Sequence, residues 1–291
     1  MPLPTHAWER KPLAAGLYLV ATPIGAARDI TLRALDILAS ADVLAAEDTR
    51  TLRHLMEIHG VPLEGRALVA CHDHNEEGVA ARLLRAVAEG KSVAYASEAG
   101  TPLVSDPGFV LARAAVAEGI RVLAAPGPSA VLAALTVAGL PSDRFLFAGF
   151  PPPARAARMR FLEDLRDVQA TLVLYDSPKR VAALLVDAAA ALGGGRQAAV
   201  CRELTKRFEE VRRGTLAELA EEFAAEEVRG EIVVVIDRGT ATVADAATWE
   251  EALDRAMETL SVKDAAAMVA EAYGLPRRDV YQVALGRGKG R

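Results

Sequence analysis

Two cysteines, Cys71 and Cys201, are all that 291 residues contain. That excludes a disulfide framework and suits a reducing cytoplasm, with each thiol acting as a small buried hydrophobe. Long hydrophobic runs are also missing. Hydrophobic residues make up 52% of the chain, but they fall in short stretches broken by Gly, Thr or charge. None approaches the roughly 20 residues that a membrane-spanning helix needs. Residues 1–15, MPLPTHAWERKPLAA, hold no apolar segment of the kind found in a secretion signal and read as a loose tail. An excess of positive charge is lacking as well: the net charge of −5 argues against a broadly basic nucleic-acid binder. The balance is uneven, because Arg277–Arg291 carries +4 and leaves −9 on the remainder. A polyanion would therefore meet local patches, not the whole surface.

Several catalytic signatures are absent too. No loop matches the Gly-x-x-x-x-Gly-Lys or Gly-x-Gly-x-x-Gly phosphate patterns, which removes nucleotide phosphoryl transfer and ordinary dinucleotide binding from the front rank. Ser97, Ser105 and Ser129 have no His partner in a nucleophile-elbow context, so a hydrolase triad is not expected. The cluster His72-Asp73-His74 lacks further ligands at a metal-binding spacing, so no metal is expected and the loop reads as one facing a substrate.

What is present is a strict alternation. Apolar runs at 17–21, 42–46, 67–70, 93–96 and 121–125 each end in a polar or Gly/Pro loop and lead into a helical pattern. This predicts a mostly parallel sheet covered by helices on both faces. Asp29 or Thr31 is placed to cap the first helix. After Pro141 the strands 145–150, 171–175, 198–202, 208–213 and 230–236 lie closer together, which predicts a second α/β unit with more antiparallel pairing. Ser177-Pro178 reads as a helix start, and Thr215 with Glu218 as a capping box. Residues 237–247 read as a linker. Helices then run from Thr248 to Leu260, from Ser261 to the Tyr273–Pro276 turn, and over 277–285. The last two form either a helix-turn-helix or a small helical cap. The expected division is a tail at 1–15, α/β units at 16–140 and 141–240, and a basic helical domain at 248–291.

The chain is organised around Val93–Gly108, VAYASEAGTPLVSDPG. A strand ending in such a loop presents main chain at the carboxyl edge of a parallel sheet, where ligands of α/β proteins bind. Gly100 permits a close approach to the backbone, and Pro102 holds the loop open.

The segments LYLVATPIG, ADVLAAEDTR, HDHNE, SEAGTPLVSDPG, APGPSA, GLPSDRF, CRELTK and GEIVVVI occur in one order over about 225 residues. Together they resemble the tetrapyrrole-methylase class of S-adenosylmethionine-dependent methyltransferases. Within that class the chain is most similar to the branch that methylates a cytidine ribose 2′-oxygen in the decoding region of small-subunit ribosomal RNA. The resemblance implies a two-domain tetrapyrrole methylase (class III methyltransferase) α/β fold with a small C-terminal helical domain. It further implies a homodimer with S-adenosylmethionine folded into the cleft between the domains, and a cytoplasmic enzyme acting on small-subunit rRNA, in the assembled subunit. The implied cofactor contacts are Pro23, Ile24 and Gly25; Ser97, Glu98, Gly100, Thr101, Pro102, Leu103 and Val104; Pro128, Ser129 and Ala130; and Gly230 and Glu231. Glu98 and Ala26-Ala27 depart from the family pattern, which has Asp and Asn-Leu there, and Asp176 stands where Glu is usual.

A ribose hydroxyl needs a base within hydrogen-bond reach. Glu47, Asp48 and Asp106 end strands or loops on one rim and are the candidate catalytic carboxylates; Asp48 and Asp106 could equally cap helices. Candidate RNA contacts are Arg50, His72, His74, Arg155, Arg158, Lys206, Arg277 and Arg278, with Arg160, Arg207, Arg212 and Arg213 as further basic groups. Two other readings remain: a methyltransferase acting on a corrin or porphyrin, and a non-catalytic nucleic-acid adaptor.

Overall fold

The structure is a computed structural model that describes residues 8–72, 75–225, 227–239 and 246–288. The first five strands are β1 (Gly16–Val20), β2 (Val43–Ala46), β3 (Ala67–Ala70), β4 (Ser92–Ala96) and β5 (Val122–Ala125). They form one sheet in the order β3-β2-β4-β1-β5, and every pairing is parallel. The intervening helices are α1 (Leu32–Ser40), α2 (Thr49–Ile58), α3 (Glu76–Ala88), α4 (Phe109–Ala117) and α5 (Ala130–Ala138). Alternation along β1 divides its side chains. Tyr18 and Val20 pack with Leu35 and Leu38 of α1 and Leu52 of α2 on one face. Leu17 packs with Leu83 and Leu84 of α3 and Leu111 of α4 on the other. The connections leaving β1 and β4 therefore pass to opposite faces of the sheet. That divergence makes the adjacent ends of these two strands a topological switch point.

Caps obey local chemistry. Of the two candidates for α1, Thr31 is the cap, and its hydroxyl accepts from Ala34 N–H at 3.2 Å. The HDHNE segment has a role at longer range. Glu76 is buried, and its carboxylate accepts from Leu111 N–H at 2.9 Å, so it caps α4 from 35 residues away. The described part of the expected tail is not loose. Trp8 and Leu13 pack on the first core, Glu9 N–H donates to Asp36 at 2.6 Å, and Lys11 N–H donates to the Ser40 hydroxyl at 3.0 Å.

The second sheet is mixed. Its strands are β6 (Phe145–Gly149), β7 (Thr171–Asp176), β8 (Gln197–Arg202), β9 (Glu210–Thr215) and β10 (Ile232–Ile236), in the order β6-β7-β10-β8-β9. Only β6–β7 is parallel. Helices α6 (Arg155–Asp164), α7 (Val181–Leu192) and α8 (Leu216–Ala224) cover one face. Helix α5, which belongs to the first unit in sequence, covers the other. Its Val131, Ala134 and Leu135 pack on Val173, Ala199, Val233 and Val235, and Ile24 from the loop after β1 joins the same cluster. Arg213 of β9 donates to the Val137 and Ala138 carbonyls at the end of α5, at 3.1 and 3.2 Å, which accounts for this basic residue without RNA.

Two expectations are corrected here. Helix α7 starts at Val181, not at Ser177-Pro178. The Asp176 carboxylate accepts from Ser177 N–H at 2.8 Å and from Arg180 Nε at 2.7 Å, holding 177–180 as a turn ahead of the helix. The final strand begins at Ile232, which leaves Gly230 and Glu231 in the preceding loop. The Thr215–Glu218 capping box is present.

Helices α9 (Ala246–Met257), α10 (Val262–Ala272) and α11 (Arg277–Gly288) form their own apolar cluster around Leu253, Val269 and Val280. Helix α9 begins and ends earlier than the expected 248–260. Ser261 caps α10, and Gly274 turns the chain into α11 with φ of +62°. Among the described residues no helix is long and apolar enough to cross a membrane.

Candidate functional site

A cleft of about 470 Å³ lies between the carboxyl edge of the first sheet and the second sheet. Its first rim is made by the loops after β1, β4 and β5, which are neighbouring strands. Thr22 and Gly100 exchange both main-chain hydrogen bonds, at 2.9 and 3.0 Å. The Ser97 hydroxyl donates to the Gly100 carbonyl at 2.5 Å, and the Thr101 hydroxyl donates to the Pro128 carbonyl at 3.0 Å. The main chain at Gly100 is therefore not bare, as the sequence suggested. Its polar groups brace the floor, and what Gly100 offers is shape. Its φ is +84°, and a Cβ there would stand 3.3 Å from Ile24 Cγ2. Leu103 and Ser105 also hold positive φ, at 73° and 57°, a cost that this braced loop imposes on non-glycine residues. Gly108 closes the loop with φ of +111° directly against the Tyr95 ring.

The second rim consists of the loop 203–206 and the Gly230–Glu231 turn. Glu203 accepts from Glu231 N–H at 2.9 Å, and Lys206 bridges Glu203 and Glu231 at 3.0 and 3.1 Å. Burial favours the neutral amine, but the two carboxylates outweigh it and raise the Lys206 pKa. Lys206 is thus held within the rim. The rims meet where Ala26 N–H donates to the Thr205 hydroxyl at 3.1 Å. Gly25 sits against that junction, where a Cβ would come within 2.5 Å of Lys206 Cγ.

Of the expected cofactor residues, Ile24, Glu98, Gly100, Thr101, Val104, Ser129, Ala130, Gly230 and Glu231 line the cleft. Pro23, Gly25, Ser97, Pro102, Leu103 and Pro128 do not line it; Ser97, Gly25 and Pro128 serve the rim through the contacts above. Sequence reasoning missed Phe150, the Tyr175–Pro178 turn, Cys201, Leu204 and Ile232–Val233, all on the strands of the second sheet or in the loops at their ends. Only the strand-end position of Tyr175-Asp176-Ser177-Pro178 could have signalled them.

The three candidate carboxylates separate. Asp106 lines the cleft. Its charge and that of Glu47 both reach the Tyr95 hydroxyl, whose pKa is driven upward first by burial and then by neighbouring Cys71, Asp106, Glu47 and Glu76. Asp48 is the cap of α2. It accepts from Arg50 N–H at 2.7 Å and pairs with the Arg50 guanidinium at 2.7 Å, and these bonds hold its pKa down at about 2. A carboxylate so weakly basic is a poor proton acceptor. Burial pushes the Cys201 thiol up to about 11 and the Tyr175 phenol up to about 12, so both remain protonated at neutral pH.

The basic candidates also divide. Arg50, Arg277 and Arg278 are exposed. Arg155 is exposed while contacting Asp187 at 3.1 Å. Arg158 is corrected: it is 7% exposed, pairs with buried Asp187 at 2.7 Å and donates to the Pro153 carbonyl at 2.9 Å, so it fastens α6 to α7 and does not face solvent. His72 comes after β3, the far edge strand of the first sheet, and its N–H donates to Asn75 at 2.9 Å. Asp73 and His74 lie outside the described residues, as do Lys289 and Arg291. Among the described residues no three His, Cys, Asp or Glu side chains converge as a metal site would require.

Residues 16–220, which span every strand from β1 to β9, match the family described as Tetrapyrrole (Corrin/Porphyrin) Methylases. The chain belongs to that family. Residues 243–288 of this methylase match a second family, the RsmI C-terminal HTH domain. The methylase is 47% identical over 273 residues to the Ribosomal RNA small subunit methyltransferase I of Mesorhizobium japonicum, covering 94% of this chain and 92% of that one. It is 43% identical to the protein of the same name in Pseudomonas aeruginosa, with 94% and 98% covered. Among solved structures, the uroporphyrin-III C-methyltransferase of Thermus thermophilus complexed with S-adenosylhomocysteine superposes with a TM-score of 0.52 at 20% identity, covering 76% of this chain and 97% of that one. That likeness concerns the fold.

Proposed function

We propose that this methylase transfers a methyl group from S-adenosylmethionine to the 2′-oxygen of a cytidine ribose in small-subunit ribosomal RNA. The observation that carries the reading is the cleft: a glycine-floored, acid-lined pocket at the switch point of a chain that aligns over 94% of its length with named rRNA methyltransferases. The residues suit the cofactor. A cleft of about 470 Å³ falls within the 300–1,000 Å³ of ordinary ligand sites. Glu98, Asp106 and Glu231 line it with carboxylates that favour a cationic ligand. When bound, S-adenosylmethionine supplies a methyl carbon activated by a positively charged sulfur.

The chain's own contribution is alignment and a proton acceptor. The braced first rim fixes the floor before any ligand arrives, which is catalysis by positioning. Asp106, the one of the three carboxylates that lines the cleft, accepts the ribose hydroxyl proton, while Glu47 lies outside the lining and Asp48 serves α2. Phosphates stay outside the acidic cleft, on Arg50, Arg155 and the arginines of α11. Arg277 and Arg278 occupy the first turn of α11, where the helix dipole disfavours cations, so helix stability does not explain them. We assign the α/β units to 16–140 and 141–240 and the RNA-gripping domain to 248–291. The enzyme works as a homodimer in the cytoplasm, on the assembled subunit.

The test is transfer of labelled methyl groups from S-adenosylmethionine to small ribosomal subunits, naked small-subunit rRNA, or free corrins and porphyrins. Label on a cytidine ribose of the subunit is expected. Label on the tetrapyrrole alone establishes the small-molecule alternative, and RNA binding without transfer establishes an adaptor. Asp106→Ala should lower kcat by about 10²–10⁴-fold with subunit binding retained, whereas Asp48→Ala should leave kcat near its original value and reduce stability by about 1 kcal/mol.

A further inference from the structure

We infer that Phe150 is the stacking platform for the nucleobase of the nucleotide being methylated. The inference rests on the rRNA-methylation reading above and adds to it the residue that grips the target base.

Phe150 lines the cleft and is nevertheless 55% exposed. A large aromatic ring left open at the mouth of a ligand cleft has apolar surface available to a partner. Its placement is rigid. Gly149, with φ of +72°, turns the chain out of β6, and the run Pro151–Pro153 stiffens the connection to α6. The ring packs edge-on against Tyr175, with centroids 5.5 Å apart and planes at 65°. Tyr175 is itself held edge-on by Phe147 at 4.8 Å, and its hydroxyl lies against the Val131 backbone at the start of α5. An aromatic fixed in this way binds a flat partner with little further loss of rotamer freedom.

The surroundings select the partner's chemistry. Glu98, Asp106 and Glu231 repel phosphate from the cleft interior, so an RNA strand can present only its neutral parts there. A base stacks through its neutral π-face. Gly149 also faces the opposite loop, since a Cβ there would be 4.0 Å from Ser105 Oγ. Phe150 and Asp106 thus each follow a residue of this contact, and both line the cleft. A nucleotide with its base on Phe150 directs its ribose toward the proposed proton acceptor. Five residues on, exposed Arg155 at the start of α6 is available to the adjoining phosphate. Recognition of single-stranded RNA by splayed bases on aromatic rings, with phosphates on nearby arginines, has this composition. Stacking tolerates any base, so Phe150 supplies grip, and the choice of cytosine falls to groups that meet the base edge.

The experiment uses the full-length protein and unmethylated small subunits. Phe150→Ala should raise KM for the subunit by roughly 5- to 150-fold, the range one base–aromatic stack contributes, and leave the Kd of S-adenosylmethionine, measured by calorimetry, within about twofold. Phe150→Tyr and Phe150→Trp should restore KM, whereas Phe150→Leu, which keeps the apolar bulk, should not. Full activity in Phe150→Leu would overturn the inference in favour of simple packing. So would a loss of cofactor affinity in Phe150→Ala as large as the change in KM, which would place the adenine on this ring. A changed sedimentation coefficient accompanying the loss would assign Phe150 to contact with a second copy of the chain. If the wild-type protein methylates no subunit, the function reading itself fails, an outcome distinct from an unaltered KM in an active Phe150→Ala enzyme.

Discussion

The two rims of the cleft are fixed by different forces. The first, built by the loops after β1, β4 and β5, is held by main chain and shape: the Thr22–Gly100 exchange of hydrogen bonds, the Ser97 and Thr101 hydroxyls, and glycines where no side chain fits. The second adds charge to main chain: Glu203 N–H donates to the Glu231 carbonyl at 3.0 Å, and Lys206 pairs with both Glu203 and Glu231. The first rim arises from the parallel sheet, whose adjacent strand ends bring three loops into hydrogen-bonding reach. The second rim joins the β8–β9 hairpin loop to the connection that leads from α8 into β10, and ion pairs help to tie the two together. The difference teaches that the floor is insensitive to salt, whereas the charged part of the wall responds to it.

The largest effect should come from Gly108→Ala in the first rim. Its φ of +111° disfavours any side chain, and the new Cβ would lie 2.8 Å from Cε1 of fully buried Tyr95. Backbone strain and overpacking together should cost about 2–4 kcal/mol in urea unfolding, and cofactor binding should weaken as the loop moves. An unchanged midpoint would mean that this loop is softer than its geometry implies.

Gly230→Ala is the matching change in the second rim and should cost less, about 1–2 kcal/mol. Its φ is +91°, but the atoms that its Cβ would strike belong to the Glu203 side chain, which can move. The displacement breaks the Glu203 bond to Glu231 N–H, so salt should weaken cofactor binding less in the variant than in the wild type. A cost equal to that of Gly108→Ala would erase the distinction between the rims.

The smallest effect is expected for Lys206→Met. The ammonium is partly exposed, and such pairs contribute at most about 1 kcal/mol, so cofactor affinity should fall no more than about fivefold. The same rim sets a pH window. Burial raises the Glu203 pKa, but the Glu231 N–H and Lys206 outweigh it and bring it below the ordinary 4.5; its contribution is present above that value and is lost as pH falls through the lowered one. Lys206 is raised above 10.5, so its contribution is full below that value and is lost as pH climbs through the raised one. Cofactor affinity measured against pH should therefore hold a plateau across neutrality and decline at both ends. In Lys206→Met the alkaline decline should vanish.

Much of this was legible in the sequence. Thr31, Ser261 and the Thr215–Glu218 box act on backbone within three residues, so spacing alone locates them. The alternation of strand and helix dictated a parallel first sheet, and the Gly100 loop lies at the cleft because strand-end loops share one edge. The rest was hidden because it depends on residues far apart in the chain. Arg158 reads as a surface cation until Asp187 of α7 is seen beside it. Glu76 reads as part of a polar loop facing a substrate, yet it caps a helix that begins 33 residues later. Asp48 and Asp106 look equivalent in the sequence; one caps α2 and the other lines the cleft.

The sequence by itself determined the elements, their order, the family and the loops that would carry chemistry, since hydrophobic period, caps and turn residues act locally. Only the tertiary structure decided which charges face one another, which glycines stand against a ring or a rim, and that Phe150 and Tyr175 of the second sheet close a pocket begun by the first. Those outcomes depend on contacts between distant segments, and such contacts are set by packing helix α5 and the Ile24 and Val104 loops of the first unit against the second sheet.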